Sequence, residues 1–336
     1  MVEHWDSLLT QKTVLAIMGP TASGKSRLSM ALADCLPMEI ISVDSALIYR
    51  GMDIGTAKPT LAEQARVPHH LIDILDPHES YSASAFVQDT HRLVEEIFAR
   101  GNLPVMVGGT MMYFNALQQG MNALPQADEA IRQALQQQWL AAPDSLHTQL
   151  AEVDAVAAKR IHPNDPQRLI RALEVYLASG KSLTEWQQAP TKQALSEFCL
   201  HKVGLIAQDR ARLHQQIEQR FMQMMAQGFL SEVELLFQNP RLNADLPSIR
   251  SVGYRQAWSY LCGEIDGDEL VQKGVAATRQ LAKRQLTWLR KEQALQLIDP
   301  FETLLDEQVQ QICQRLHEKV LSANAERLKN QNISKI

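Results

Sequence analysis

The chain has 336 residues, 45% of them hydrophobic and 21% charged, with a formal net charge of −5. That is a globular composition, long enough for two domains or for one large domain with an insertion, and the acidic balance argues against indiscriminate binding of polyanions while leaving room for a local basic cleft. Cys35, Cys199, Cys262 and Cys313 are far apart with no C-x-x-C pair, which reads as reduced thiols of a cytoplasmic protein and not as a zinc site. The N-terminal MVEHWDSLLTQK lacks the pattern of a signal peptide, and no apolar run approaches the roughly 20 residues of a membrane span. A cytoplasmic protein without membrane contact is expected.

TVLAIM, Thr13 to Met18, is a short apolar, β-rich run. It leads into GPTASGKS, and SRLSMALADCL follows with Leu28, Leu32 and Leu36 at helical spacing. Strand, glycine loop and helix are the context of a phosphate-binding P-loop, and Gly19, Pro20, Thr21, Ala22, Ser23, Gly24, Lys25 and Ser26 fit G-x-x-x-x-G-K-[ST] without exception. Gly19 and Gly24 permit backbone angles closed to other residues, so that successive N–H groups turn inward on an anion. The helix N-terminus adds to that field. Lys25 offers a full charge to the terminal phosphate oxygens, and the Ser26 hydroxyl is a candidate Mg²⁺ ligand. A glycine turn opening a helix is the plain alternative. The loop does not say whether the phosphate is transferred, cleaved or simply leaves.

After Pro37 a buried strand, Ile40 to Val43, ends on Asp44. Ligands of open α/β sheets sit at the carboxyl ends of strands, so Asp44 is expected beside the phosphate site, where a carboxylate needs a metal or a proton to serve. The polar stretch through Gly51, Gly55, Lys58 and Pro59 suggests a functional loop. HHLIDILDP, His69 to Pro77, offers a short third strand; its Asp76 reads as a turn residue and its two histidines as surface or capping groups. An amphipathic helix runs from Ser82 to Gly101. The strand Val105 to Val107 then ends on Gly108, Gly109 and Thr110, and Thr110 is expected to cap the next helix with its hydroxyl near the site; a strand-to-helix turn alone is the plain alternative.

From Asp128 to Ser196 helical patterns dominate, broken at Pro143, Pro163 and Gly180. Arg168 and Arg171 share a helix face, for which a solvated charged surface is an equal alternative. The sheet pattern resumes at Phe198 to Ala207, and a long helix runs from Arg210 toward Gly228. Arg250 and Arg255 flank Gly253, and Lys273, Arg279, Lys283, Arg284, Arg290 and Lys291 follow with no acid between Lys273 and Lys291. That positive run is too long to be only a complement to a helix dipole. The tail carries one amphipathic helix through Val320 and then a polar end expected to be disordered. The fold expected is α/β: a P-loop NTPase-like core with a parallel sheet and an all-helical insertion domain. Its parts would be residues 1–120 and 198–300 for the core, 121–197 for the insertion, and 301–336 for the C-terminal helix and tail.

The segments GPTASGKS, ISVDSALIYRGMDIGTAKP, VGGTMMYF, IHPNDPQRLIRALEVY, PSIRSVGYRQ and TRQLAKRQLTWLR together resemble the bacterial tRNA dimethylallyltransferases, also called adenosine-37 tRNA isopentenyltransferases. The resemblance runs from the first strand to about residue 300. It implies transfer of a dimethylallyl group from dimethylallyl diphosphate to N6 of adenosine 37 in tRNAs reading codons that begin with U, with Mg²⁺ as the metal. The P-loop would then hold a leaving diphosphate. Asp44 would be the general base, with magnesium coordination through water as its competing role. Thr110 and an arginine of RSVGYR, Arg255 or Arg250, would contact the diphosphate or the transferring group. The family pattern also places several segments along the tRNA anticodon stem-loop: Asp44, Ser45, Ala46 and Leu47; Gln167, Arg168, Leu169, Ile170 and Arg171; Arg250, Ser251, Val252, Gly253, Tyr254 and Arg255; and Lys283, Arg284, Gln285, Leu286, Thr287, Trp288, Leu289 and Arg290. Thr110 and Arg132 match further tRNA-contacting positions. The adenine must leave the stack to reach the base. A monomer is expected. A small-molecule P-loop kinase and a non-catalytic, nucleotide-gated RNA-binding protein are the other two classes; the first predicts ATP turnover, and the second needs no carboxylate at position 44.

Overall fold

The computed structural model describes residues 5–120, 124–125, 128–189 and 195–333. Six strands alternate with helices along much of the chain. They are β1 (Thr13–Met18), β2 (Met38–Val43), β3 (His69–His70), β4 (Leu103–Gly108), β5 (Cys199–Leu205) and β6 (Leu295–Ile298). They form one parallel sheet in the order β3-β2-β4-β1-β5-β6. The helices before residue 120 are α1 (Trp5–Thr10), α2 (Lys25–Leu32), α3 (Leu61–Arg66), α4 (Ala83–Ala99) and α5 (Met111–Gln119). Then come α6 (Glu129–Ala141), α7 (Pro143–Val153), α8 (Ala155–Arg160), α9 (Pro166–Ser179) and α10 (Leu183–Gln188). The last group is α11 (Arg210–Ala226), α12 (Phe229–Phe237), α13 (Tyr254–Leu261), α14 (Gly267–Leu289) and α15 (Leu305–Ile333).

The central strands are apolar on both faces because both faces are covered. Leu15 and Ile17 of β1 point to one side, where Leu28 and Leu32 of α2 and Ile312, Leu316 and Val320 of α15 pack. Val14, Ala16 and Met18 point to the other, against Phe86, Val94 and Ile97 of α4 and Phe114 and Leu117 of α5. A third cluster joins α11, α12, α13 and α14 around Phe221, Phe229, Tyr254 and Leu286.

The chain divides into two compact units, Met1–Gln118 with Ala194–Ile336, and Gln119–Gln193. Among its described residues the second has helices joined by short loops and no strand, and it has its own core of Leu135, Leu146, Leu150, Leu169 and Leu173. Its helix ends are written locally. Asp128 caps α6, Pro143 opens α7, Asp154 caps α8, Asp165 caps α9, and Gly180 closes α9 at φ 70°. Residue 121, the expected start of the insertion, lies outside the described residues.

Three elements depart from expectation. HHLIDILDP contributes only two residues to the sheet, because Leu71 and Asp73 take φ of 61° and 54° and turn the chain out of the extended region. His70 is not a surface group: its Nε2 lies 2.6 Å from Glu39. That buried carboxylate also accepts two 2.8 Å bonds from Arg100, and despite its burial these donors draw its pKa down to about 2. The polar C-terminal stretch is helical through Ile333. No glycine or proline follows Pro300, so nothing in the backbone stops the helix.

Candidate active site

Register places the site. Val43 pairs with Gly108, Gly108 with Met18, and Met18 with Gly204, so four parallel strands end at one level. The residues that come next along the chain, Asp44, Gly109 and Gly19, therefore emerge side by side at the carboxyl edge, where open α/β sheets bind ligands. Gly108 is required there, since a Cβ would run into the Val43 carbonyl.

The P-loop uses its residues somewhat differently from expectation. Gly24 does take a left-handed φ of 86° as the N-cap of α2. Gly19 is needed for space instead, because a Cβ would meet Ser23 Oγ at 2.7 Å and the Leu205 carbonyl at 3.2 Å. Ala22 supplies the second positive φ, 61°. No side chain caps the first turn of α2, which leaves its amides for an anion. Lys25 Nζ donates to the Pro20 carbonyl at 2.7 Å.

Burial, and then the nearby Arg220, push the Lys25 ammonium down to about pKa 8, while Asp44 opposes the shift. Arg220 is likewise pushed down by burial and pulled back by Asp44. Two cations and one carboxylate thus act on one another electrostatically, a group with a net positive charge suited to a polyanion. One Asp44 oxygen accepts from the Ala46 amide at 2.9 Å, which fixes the carboxylate in a turn. Thr110 is held from two sides: its amide donates to the Val43 carbonyl at 3.1 Å, and its hydroxyl accepts from the Ser45 amide at 3.2 Å. The hydroxyl expected to cap α5 therefore ties the β4 end to the loop carrying Asp44.

The loop after Asp44 is packed more tightly than its polar sequence suggests. Glu232 of α12 accepts from the amides of Asp53, Ile54 and Gly55 at 2.8, 2.7 and 3.2 Å and from the Tyr254 hydroxyl at 2.6 Å. Lys58 is buried and paired with Asp53 at 2.6 Å and with Asp73. Arg220 Nη2 donates to the Thr56 carbonyl at 3.4 Å, so this loop helps aim the guanidinium.

A family model described as IPP transferase matches residues 47–292. A tRNA dimethylallyltransferase from Hydrogenovibrio crunogenus is 64% identical over 318 residues, 95% of this chain and 98% of that protein. The chain belongs to the IPP transferase family. Solved structures agree. The full-length tRNA isopentenylpyrophosphate transferase from Bacillus halodurans aligns with a TM-score of 0.69 at 36% identity, covering 94% of this chain and 99% of that one. A eukaryotic dimethylallyltransferase acting on tRNA aligns at 0.73 and 26% identity, covering 96% and 80%.

Within this IPP transferase, the residues assigned to RNA by resemblance divide by exposure. Lys283, Arg284, Thr287 and Arg290 are exposed on α14, and Trp288 stands beside them 47% exposed. Leu286, Leu289, Gly253 and Tyr254 are buried, and in the helical unit so are Leu169 and Ile170. As a correction, the side chains of Leu286, Leu289, Tyr254, Leu169 and Ile170 pack in the core, and Gly253 has none. Ser45 is exposed, whereas Ala46, Leu47, Ser251 and Val252 are half-buried. Arg250 and Arg255 are exposed, with no ion-pair partner among the described residues. The charge couplings around the P-loop run through Arg220.

In the helical unit, Gln167 and Arg168 are exposed at the start of α9. Arg132 and Arg171 converge on Glu174, fully buried, at 3.2 and 2.8 Å. The run from Lys273 to Lys291 is not uniformly free either: Lys273 pairs with Glu269 at 2.9 Å and Arg279 with Glu218 at 2.7 Å. No motif marks Arg220, but a signal was available. Leu213, Ile217 and Met224 are buried on α11, and position 220 falls on the same helical stripe. A cation on an apolar stripe needs a reason.

Proposed function

We propose that the strand-end pocket holds dimethylallyl diphosphate on the P-loop and that Asp44 takes the proton from N6 of adenosine 37, in tRNAs reading codons that begin with U. Transfer of a dimethylallyl group to tRNA is the reaction of the family, and this chain is a transferase of that kind. The observation that carries the finer reading is the electrostatic coupling of Lys25, Arg220 and Asp44 beside the strand ends that carry the P-loop and Asp44.

In the reaction, the N6 lone pair attacks C1 of the dimethylallyl group. The C1–O bond breaks, the diphosphate leaves with the bonding pair, and the N6 proton passes to the carboxylate. The products are N6-dimethylallyladenosine and diphosphate. An exocyclic adenine amine is a weak nucleophile because its lone pair is delocalised, so a positioned base accelerates the step. Lys25, Arg220 and the amides from Ala22 to Lys25 meet the charge that grows on the departing oxygen. Thr110 holds the Asp44 loop against the end of β4, and Arg255 or Arg250 reaches the diphosphate or the transferring group from the start of α13.

The site's donors fit magnesium. The Ser26 residue is exposed and Asp44 half-exposed, and no cluster of three His, Cys, Asp or Glu occurs among the described residues. A metal here would take most of its oxygens from diphosphate and water, as Mg²⁺ does. When bound, it supplies charge neutralisation at the leaving diphosphate.

RNA is gripped through Lys283, Arg284 and Arg290, exposed cations with no ion pair among the described residues, and through Arg168, whose guanidinium lies 3.4 Å from Asp165 at the surface, with Trp288 offering a face on which a base can stack. The enzyme acts as a monomer in the cytoplasm; no helix among the described residues is long and apolar enough to cross a membrane. The test is nucleoside analysis of unmodified tRNA transcripts after incubation with dimethylallyl diphosphate and Mg²⁺. N6-dimethylallyladenosine is expected from a transcript with adenosine at position 37 and none from one with guanosine there. A product on another base or position would overturn the assignment.

A further inference from the structure

Gln285 lies inside the KRQLTWLR stretch of α14, whose exposed members face outward, yet its own side chain turns the other way. The Thr21 amide donates to Gln285 Oε1 at 2.9 Å, and Gln285 Nε2 donates to the Gly109 carbonyl at 2.9 Å. Thr21 follows Pro20, which has no N–H, so its amide is the first donor the P-loop can offer after Gly19. Gly109 precedes Thr110, whose amide and hydroxyl join β4 to Val43 and Ser45. One primary amide thus bridges the wall that carries the phosphate cradle and the wall that carries Asp44. Its orientation is set by its partners, a donor facing the oxygen and an acceptor facing the nitrogen. The fit is close: a Cβ at Gly109 would collide with Gln285 Nε2 and stand 3.0 Å from the Gly19 carbonyl.

We infer that Gln285 is a positioning residue of the donor site, not an RNA contact: it locks the P-loop to the Gly109–Thr110 turn and so sets the distance between the diphosphate and the general base. This rests on the reading of the P-loop as the diphosphate cradle. A carboxamide suits the task because it offers one donor and one acceptor in a fixed plane. Leucine at this position removes both bonds at similar size. Glutamate keeps the acceptor for Thr21 but turns a carboxylate oxygen toward the Gly109 carbonyl, and protonation of that oxygen restores the missing donor.

The test measures inorganic diphosphate affinity, dimethylallyl transfer and tRNA affinity for wild type, Gln285→Leu and Gln285→Glu. Gln285→Leu is expected to lower kcat/KM for the donor by about 10- to 100-fold, the scale expected from misplaced reacting groups, with tRNA affinity unchanged within about two-fold, since no cation that meets a phosphate is removed. For Gln285→Glu, diphosphate affinity relative to wild type should rise as pH falls from about 6 to 4, through the ordinary carboxyl range. A general loosening of packing would not give that pH signature. Should the leucine variant fail to fold, the glutamate ratio decides alone. The inference is overturned if Gln285→Leu weakens tRNA binding while leaving diphosphate binding intact, or if the Gln285→Glu ratio is flat with pH. Wild-type protein that binds neither inorganic diphosphate nor dimethylallyl diphosphate would instead remove the reading of the P-loop itself.

Discussion

Replacing Lys25 by methionine should make the ligand-free protein more stable while abolishing use of the donor. The Lys25 ammonium is moved from 10.5 to about 8 by burial and by Arg220, a displacement of about 2.5 units. At about 1.4 kcal/mol per unit this is a ceiling of ~3.5 kcal/mol for keeping the charge in place. Solvent reaching the half-buried residue screens part of that cost. The bond from Nζ to the Pro20 carbonyl, 2.7 Å, offsets roughly 1.5–3 kcal/mol more, the range for a charged hydrogen bond. A net stabilisation of about 1 kcal/mol at pH 7 remains.

The sign with pH is fixed by the direction of the shift. Because the folded-state pKa is depressed, the penalty is fully present below pH 8, and it is relieved as pH rises from about 8 to 10.5, where the unfolded chain holds the proton that the folded one has released. Urea unfolding of both proteins between pH 7 and 10 should therefore show the gap closing as pH rises. Inorganic diphosphate should raise the melting temperature of wild type and leave that of Lys25→Met unmoved. A Lys25→Met protein that is less stable at pH 7, with a gap independent of pH, would refute the reasoning.

The same shift predicts that kcat/KM for the donor declines as pH rises through about 8 in wild type, since this quantity reports the free enzyme; a profile flat to pH 10 would contradict it. Arg220→Met should lower donor kcat/KM by about 10²- to 10³-fold, as removal of a leaving-group donor does, and should move that decline to higher pH because one of the causes depressing Lys25 is gone. Asp44→Asn should keep diphosphate and tRNA binding within a few-fold yet slow single-turnover transfer by about 10²- to 10⁴-fold; failure of magnesium-dependent binding with normal transfer at saturating metal would assign Asp44 to the metal. Neutralising Lys283, Arg284 and Arg290 should reduce the log–log salt slope of tRNA binding by roughly 0.7–0.9 for each phosphate that no longer meets a cation, whereas neutralising the paired Lys273 and Arg279 should leave it nearly unchanged. Equal slopes for both sets would mean that ion pairing does not decide which charges meet RNA.

Much of the sheet is legible in the sequence because its strands are continuous apolar runs that end on glycine or Asp44, a pattern that needs no tertiary context. β6 is not: LQLI is four residues long and begins a few residues after the end of α14, too short for a period of two to stand out. β3 is shorter than its apolar run suggests, since positive φ at Leu71 and Asp73 is set by the packing of the Lys58 loop and is not written in HHLIDILDP. The P-loop and Asp44 can be found because each carries its chemistry in a local pattern. Arg220 cannot be found that way, as its coupling to Lys25 and Asp44 arises only when α11 is folded against α12 and α14. Segment-wise resemblance also blurs α14, where buried Leu286 and Leu289, the inward Gln285 and the exposed Lys283 and Arg290 alternate within eight residues.

The most direct measurement uses two labels in one reaction, dimethylallyl diphosphate labelled in its hydrocarbon and ATP labelled in its γ-phosphate, with unmodified tRNA and Mg²⁺. The hydrocarbon label should appear in RNA one-for-one with released diphosphate, while the ATP label stays in ATP. Movement of the γ-phosphate label with the hydrocarbon left in its diphosphate would contradict a P-loop that holds a leaving group.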